Sequence, residues 1–263
     1  MIKFGMPTLI ETETPARCVE ICHELGLKFI ELNMNFPQFQ PWIMDVSELK
    51  RLAEDNHIFY TIHLDDDMSA ADFNPYVAES YRKTAVQTIN FAKQLELPVL
   101  NMHLSMGAVY TLPERKVYFF GEYLQQYLEN MRRFRDVCTE AIGDSGIRIC
   151  VENTKGFTDF HKKAIEVLLE SPVFGLTLDI GHNYCCNNAD EPWILNIGEN
   201  LHHMHMHDAK NRKNDHLCLG AGEIDIPRYI RMADEHDCTV VLETKTEPGL
   251  RGSVRWLREH RYL

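Results

Sequence analysis

Arg148-Ile149-Cys150-Val151-Glu152 is the stretch of sequence that best indicates the fold. Ile149 and Val151 alternate with Cys150 and Glu152, so the two pairs would lie on opposite faces of one β-strand. The same alternation recurs in two later stretches, with Leu176 and Leu178 against Asp179, and Val240 and Leu242 against Glu243. This pattern predicts apolar side chains that face a layer of helices and polar side chains that face the interior of a barrel.

Strand-like runs and helical stretches alternate along the whole chain. The strand-like runs are Ile2–Thr8, Lys28–Asn33, Phe59–Asp65, Pro98–Ser105, Arg148–Thr154, Phe174–His182, Leu201–Asp208 and Thr239–Lys245. The helical stretches are Thr14–Leu25, Asp45–Asp55, Pro75–Leu95, Pro113–Ile142 (one helix or two), Thr158–Glu170, Glu191–Asn200, Ile226–Glu235 and Gly252–His260. Because parallel strands need crossover helices, the sequence predicts an α/β fold, a (β/α)₈ TIM barrel, with residues 1–263 as a single domain. A doubly wound open sheet is the alternative, but eight evenly spaced units favour closure.

Composition disfavours several functions. The 263 residues carry a formal net charge of −12, which argues against a nucleic-acid partner because binding to phosphate depends on positive charge. No stretch approaches the roughly 20 apolar residues that cross a bilayer, and Met1–Pro7 lacks the apolar segment of a signal peptide. The eight cysteines form no CxxC pair. We therefore expect reduced thiols, a cytoplasmic location and no membrane partner.

Residue types that bind metals stand near the C-terminal ends of six predicted strands. In chain order they are His63, His103, Glu152, Asp179 with His182, His203 with His205 and His207, and Glu243. Active sites of TIM barrels lie at this end of the barrel. Converging imidazoles and carboxylates are ligands for Zn²⁺, Mn²⁺ or a similar divalent ion. The sequence therefore predicts a metal site at the C-terminal mouth.

Three motifs carry a resemblance to a known family: Val151-Glu152-Asn153-Thr154-Lys155-Gly156, Leu178-Asp179-Ile180-Gly181-His182 and His205-Met206-His207-Asp208-Ala209-Lys210. Together with residues 215–225 they resemble, in their order along the chain, the xylose isomerase-like barrel superfamily. That superfamily includes sugar-phosphate isomerases and epimerases and the endonuclease IV enzymes. The resemblance implies a metal site formed by Glu152, Asp179, His205 and Glu243. In the endonuclease branch the further ligands would be His63, His103, His182 and His216, giving one to three divalent ions per chain, although Asn214 stands where that branch has an aspartate.

The resemblance implies a divalent-metal-dependent isomerase or epimerase, or a related lyase, that acts on a sugar or a sugar phosphate. Glu152 and Glu243 would remove and return a proton as paired acid and base groups, and the ion would stabilise the enediolate. His182 would act with them by hydrogen-bonding a substrate oxygen. Substrate contacts are expected from His63, His103, His182, His207 and Lys210.

An endonuclease IV-like zinc phosphodiesterase acting on abasic DNA is the alternative function, since the extra histidines would suit two or three ions. Asp65-Asp66-Asp67 argues against it, because these carboxylates stand beside His63, where a DNA phosphate would approach. A metal-bound barrel that binds without catalysing is a third class. The aromatic-rich stretch Tyr118–Tyr127 would pack in the core or between the subunits of a homo-oligomer. The histidines expected at the surface are His23, His57, His161, His236 and His260.

Overall fold

Eight parallel strands close a barrel in the computed structural model, which describes residues 2–263. The barrel strands are β1 (Lys3–Pro7), β2 (Phe29–Asn33), β3 (Phe59–His63), β4 (Val99–His103), β7 (Arg148–Glu152), β8 (Phe174–Asp179), β9 (Leu201–Met206) and β12 (Thr239–Leu242). Two antiparallel hairpins lie outside the barrel, β5 (Val109–Thr111) with β6 (Lys116–Tyr118), and β10 (Asp208–Lys210) with β11 (Asn214–Leu217). Each barrel strand pairs with the next along the chain, and β12 closes the ring on β1 with Phe4 opposite Val240. The predicted TIM barrel is confirmed.

Helices connect the strands and cover the outside of the barrel. They are α1 (Pro15–Leu25), α2 (Val46–Asn56), α3 (Pro75–Gln94), α4 (Phe119–Glu122), α5 (Leu124–Ile142), α6 (Asp159–Leu168), α7 (Ile180–Cys185), α8 (Glu191–Asn196), α9 (Ile226–Glu235) and α10 (Glu247–Glu259). The first helix shows why they begin and end where they do: the Thr14 side chain accepts from the Arg17 amide, and Gly26 ends the helix at φ 73°. Within residues 2–263, no helix combines the length and hydrophobicity needed to cross a bilayer.

Several predicted boundaries differ from the observed ones by three residues or more, and three of these differences have a visible local cause. Pro113 lies in the β5–β6 hairpin, so the helical region predicted from Pro113 begins only at Phe119 and is split into α4 and α5. Strand β8 ends at Asp179 and not at His182, because the Asp179 carboxylate accepts from the His182 amide at 2.6 Å and starts α7 at once. The last helix begins at Glu247 and not at Gly252, and the Thr246 hydroxyl caps it by accepting from the Gly249 amide. Gly249 and Gly252 made this first part of the helix hard to recognise in the sequence, but both lie within it.

The predicted alternation of faces places polar groups inside the barrel. Ile149 and Val151 are buried in the hydrophobic layer. Glu152, on the other face of β7, accepts a hydrogen bond from Asn101 of β4, and Asn101 accepts one from Thr177 of β8 at 2.6 Å. These bonds join three neighbouring strands through the interior. The strands therefore hold their polar side chains in fixed positions relative to one another.

Candidate metal centre

Four side chains converge at the C-terminal end of the barrel: Glu152 at the end of β7, Asp179 at the end of β8, His205 on β9 and Glu243 just after β12. Each offers one ligand atom, and these atoms all lie within 4.8 Å of one another. His205 Nδ1 is 3.3 Å from Glu152 Oε2, 3.3 Å from Glu243 Oε2 and 4.0 Å from Asp179 Oδ2. We call these four residues the open cluster. They are the residues that the resemblance implied as metal ligands.

The open cluster contains buried polar atoms that lack hydrogen-bond partners. Among residues 2–263, these include Glu152 Oε1, His205 Nδ1 and Glu243 Oε2. Buried polar atoms are almost always paired, so several unpaired ones facing a common point need an explanation. Carboxylate oxygens and an imidazole nitrogen are the ligand types of zinc and manganese sites. The donor set and its unsatisfied atoms therefore fit a divalent cation.

The charges of the open cluster depend on one another. Burial favours the neutral form of Glu152, but nearby His205 and His103 outweigh it and hold the pKa of Glu152 well below its usual range. Burial likewise opposes the charged form of His205, but the carboxylates of Glu152, Glu31 and Glu243 raise its pKa well above 6.5. The cluster thus has the ionised carboxylates of Glu152 and Glu243 beside a cationic imidazole. Such a group must release protons when its nitrogen binds a metal.

Two further predicted residues, His63 and His103, flank Glu152 on one side. His103 Nε2 is 3.1 Å and His63 Nε2 is 3.4 Å from Glu152 Oε2. Their Nδ1 atoms are each 3.6 Å from Asp66 Oδ1, so Asp66 joins them in a second group of possible ligands. From the sequence, Asp66 was considered only as part of the acidic run Asp65-Asp66-Asp67 and not as a possible ligand. Its loop position gave no sign in the sequence that it would reach these two rings.

His182 and His216 lie on the opposite side of the open cluster. His182 Nδ1 is 3.4 Å from both Glu152 Oε1 and Asp179 Oδ2. His216 reaches over from β11 in the left-handed conformation, at φ 54°, and its Nε2 is 3.7 Å from Glu243 Oε2. Together with His207, these histidines form another group of possible ligands.

The substrate contact predicted for His207 stays a prediction, and in the structure this ring has other partners. Its ring is fully buried, its Nδ1 accepts from the His216 amide at 2.7 Å, and its Nε2 is 3.1 Å from Asp179 Oδ2. Both nitrogens are occupied, so the ring orients Asp179. It lies so close to α7 that a Cβ at Gly181 would be 1.9 Å from its Cε1.

The substrate contact predicted for Lys210 likewise stays a prediction. Lys210 lies exposed on β10, outside the cavity at the mouth of the barrel. Asp208, two residues earlier, instead accepts from the amides of Gly220, Gly222 and Ile224 and so orders the following loop.

The cavity above the open cluster has a volume of about 610 Å³. Five segments of the chain line it, and the lining residues are Asp66, Asp67, His103, Leu104, Ser105, Met106, Gly107, Thr154, Lys155, His182, Cys185, Cys186 and Asp215. Lys245, in the segment after β12, has its Nζ 2.7 Å from Glu243 Oε1. The cavity is large enough for a small polyol, and its charged lining includes three aspartates and one lysine.

His161, which was expected at the surface, is buried behind the cavity-lining residue Ser105. His161, on α6, is 3% exposed, and its Nε2 is 3.2 Å from the Ser105 carbonyl oxygen. Burial lowers its pKa to about 4, and the hydrogen bond to Ser105 offsets only part of that effect. The surface prediction for His161 is therefore wrong, because the β4 loop folds over this turn of α6.

A second buried group lies deeper in the barrel, and its carboxylate was not recognised in the sequence. Glu31 on β2 receives Thr61 Oγ1 at 3.2 Å and lies 3.0 Å from the Nε2 atoms of both His203 and His205. The other nitrogen of His203 is 2.6 Å from Thr239 Oγ1. We call Glu31, Thr61, His203 and Thr239 the closed cluster. Alternation with Ile30 and Leu32 was the available signal for Glu31, as it was for Glu152.

Comparisons with known proteins agree with this architecture. The chain is 28% identical over 205 residues to the uncharacterized protein MJ1311 of Methanocaldococcus jannaschii, covering 72% of this chain and 67% of that protein. It resembles the crystal structure of a D-tagatose 3-epimerase-like protein, with a TM-score of 0.80, 23% identity and coverage of 99% and 97% of the two chains. It also resembles the IolI protein with a bound zinc atom, with a TM-score of 0.74, 12% identity and coverage of 99% and 96%. The family model for xylose isomerase-like TIM barrels matches residues 19–260, and the chain therefore belongs to that family.

Proposed function

We propose that the protein is a divalent-metal-dependent isomerase or epimerase of a small sugar, and that it acts by proton transfer. The observation that carries this proposal is the arrangement of Glu152 and Glu243, whose carboxylates each lie 3.3 Å from His205 Nδ1 and both border the same site. Two ionised carboxylates at one buried point suit the removal of a proton from a substrate carbon and its return. The epimerase-like name of one structural neighbour supports the same chemistry.

Glu152, Asp179, His205 and Glu243 would hold the ion. When bound, the ion supplies Lewis-acid stabilisation of the negative charge that develops on substrate oxygens. Glu243 Oε1 is held by Lys245 at 2.7 Å, and Glu152 Oε2 is held by His103 at 3.1 Å and by Asn101. These contacts fix the orientation of each carboxylate, so that either one can take a proton from one face of the substrate while the other returns it.

The residues around the cavity would bind the hydroxyl groups of the sugar. His182 and His103 present ring nitrogens beside the open cluster, and Ser105, Thr154 and Lys155 add polar groups further out. His161 keeps the Ser105 segment in place through its carbonyl oxygen. In this proposal the reacting carbon would lie near the carboxylates and the remaining hydroxyls toward the mouth.

The alternative, a nuclease that acts on abasic DNA, is favoured by one observation: the side groups His63–Asp66–His103 and His182–His207–His216 could hold additional ions. His207, however, already spends both nitrogens on Asp179 and the His216 amide. Asp66, Asp67 and Asp215 also line the cavity, and Lys155 is the one lysine or arginine among its lining residues in the described chain. Like charge at the entrance opposes a phosphodiester backbone, so we favour the sugar.

Metal content and turnover test the proposal together. Elemental analysis of the purified protein should find a tightly held divalent ion, and a panel of ketoses should include one that the protein isomerises or epimerises. Glu152→Gln and Glu243→Gln should each lose turnover. A metal-free protein that cannot be loaded with zinc or manganese would contradict the proposal. Two or three ions per chain together with incision of a duplex containing one abasic site would instead establish the nuclease.

A further inference from the structure

We propose that Glu31 is a positioning residue for the metal centre: it holds His205 so that Nδ1, and not Nε2, faces the open cluster. The inference rests on the proposed function, because it assigns Glu31 a role through a proposed metal ligand. Glu31 does not border the cavity and is 1% exposed. It therefore acts on the site only through the imidazole that it contacts.

The two nitrogens of His205 have different surroundings. Nε2 lies 3.0 Å from Glu31 Oε1, whereas Nδ1 lies 3.3 Å from both Glu152 and Glu243. A carboxylate beside one nitrogen keeps the proton on that nitrogen and leaves the lone pair on the other. Glu31 thus selects the tautomer in which Nδ1 can bind a cation.

His203 in turn fixes Glu31. Its Nε2 is 3.0 Å from Glu31 Oε2, and Thr61 Oγ1 donates to the same oxygen at 3.2 Å. His203 Nδ1 accepts from Thr239 Oγ1 at 2.6 Å, so this ring is also held on both sides. Glu31 Oε2 is therefore bonded within the closed cluster, and Oε1 faces His205.

Glu31, His203 and His205 could also be read as three ligands of another ion. The contacts favour the positioning role, because the two Glu31 oxygens are already within hydrogen-bond distance of separate imidazole nitrogens. Thr61 pairs with Glu31 and Thr239 with His203. His205 Nε2 makes no hydrogen bond of good geometry, although Glu31 Oε1 lies 3.0 Å from it. The unpaired atoms of Glu152 and Glu243 lie on the other side of His205, toward the mouth.

The test is a metal titration of chelator-treated protein with zinc chloride and manganese chloride, followed by calorimetry. Glu31→Gln keeps the shape of the side chain but removes its charge, and we expect about 10–100-fold weaker binding with unchanged stoichiometry, as for other partners of ligating histidines. Glu191→Gln is the matched control. Glu191 is also a buried carboxylate, bound by Asn183, Arg228 and Tyr229, and it contacts none of the open cluster. This variant should lose stability without losing metal affinity.

A second measurement separates positioning from general disruption. The ¹⁵N and ¹H signals of the His205 ring should show a protonated Nε2 in the metal-loaded protein, and Glu31→Gln should weaken the protection of that proton from exchange. Glu31→Asp keeps the negative charge but shortens the side chain, and it should also weaken metal binding. This variant serves as the test if Glu31→Gln does not fold.

Three results would overturn the inference: unchanged affinity in both Glu31 variants, a His205 ring protonated on Nδ1 in the loaded protein, or loss of one ion from a two-ion stoichiometry. Glu152→Gln distinguishes this failure from that of the proposed function. If Glu152→Gln abolishes metal binding while the Glu31 variants do not weaken it, only the positioning role fails. If Glu152→Gln binds metal normally, the proposed metal centre itself fails.

Discussion

The open and closed clusters both contain buried carboxylate and imidazole groups, but their hydrogen-bond balance differs. The open cluster has three carboxylates and one imidazole, whereas the closed cluster has one of each and two threonines, and His205 contacts both. In the closed cluster, Glu31 is contacted by His203, His205 and Thr61, and His203 by Thr239. In the open cluster, atoms of three of the four residues have no hydrogen-bond partner in the described chain. The difference teaches that unpaired donors and acceptors, and not residue types alone, separate a binding centre from a structural network.

The largest expected effect comes from removing one carboxylate charge in the open cluster. Asp179→Asn should lower turnover by about 10³-fold or more, because it removes a proposed ligand and the partner of His207. Added metal should stabilise the wild type by about 2.7 kcal/mol at 100 times its dissociation constant, and this gain should vanish in the variant. Denaturant unfolding with and without metal measures it. An equal metal-dependent gain in wild type and variant would place the ion elsewhere.

The close packing between α7 and the His207 ring should make the stability of the protein sensitive to substitution at Gly181. Gly181→Ala adds a Cβ that would lie 1.9 Å from the His207 ring, so the ring or the helix must move. We expect a loss of about 3 kcal/mol in the free energy of unfolding, near the upper end for overpacking. Gly146→Ala is the control, since its Cβ meets nothing within 4 Å and its cost comes only from φ 79°. An equal loss of unfolding free energy in the two variants would mean that the His207 ring moves aside with little strain.

His161, whose ring contacts a backbone carbonyl oxygen and not a carboxylate, extends the comparison through the pH dependence of the free energy of unfolding. Burial depresses the pKa of His161 to about 4, against about 6.5 in the unfolded chain, so the unfolded state binds the proton first as the pH falls. Its contribution is therefore complete above pH 6.5 and is lost between about pH 6.5 and 4, a change of about 3 kcal/mol. Unfolding of wild type and His161→Gln across this range measures it. Parallel pH curves for the two proteins would contradict the prediction.

The smallest effect is expected at the edge of the closed cluster. Thr61→Val removes the hydroxyl that donates to Glu31 Oε2 but leaves both histidine contacts in place. We expect about 1 kcal/mol less stability, typical of one buried hydrogen bond, and no change in metal affinity. Calorimetric unfolding and a zinc titration of the same sample measure both quantities. A clear loss of zinc affinity would show that the two clusters are less separate than their contacts indicate.

Strand periodicity made the barrel predictable from the sequence, whereas the resemblance to a known family implied the four residues of the open cluster. Alternation around Glu152, Asp179 and Glu243 fixes which face each side chain occupies, and parallel strands bring their ends to one mouth. The same alternation around Ile30 and Leu32 would have identified Glu31 as an interior group.

Other features depend on packing between distant segments, which periodicity does not encode. Asp66 reaches His63 and His103 through a loop, and the burial of His161 depends on where the β4 loop settles. The position of the His207 ring, buried below the cavity lining, depends on its close packing against Gly181. Each of these requires the relative placement of two elements that are far apart in the chain.

The direct passage from β8 into α7 determines where this barrel can tolerate change. Asp179 is both the last residue of the strand and the residue that caps the helix, so there is no intervening loop to lengthen or shorten. The segment between β4 and α5 is different: it contributes Leu104, Ser105, Met106 and Gly107 to the cavity and then extends into an exposed hairpin. A library for altering substrate preference should therefore diversify the β4–α5 segment and keep residues 179–182 invariant.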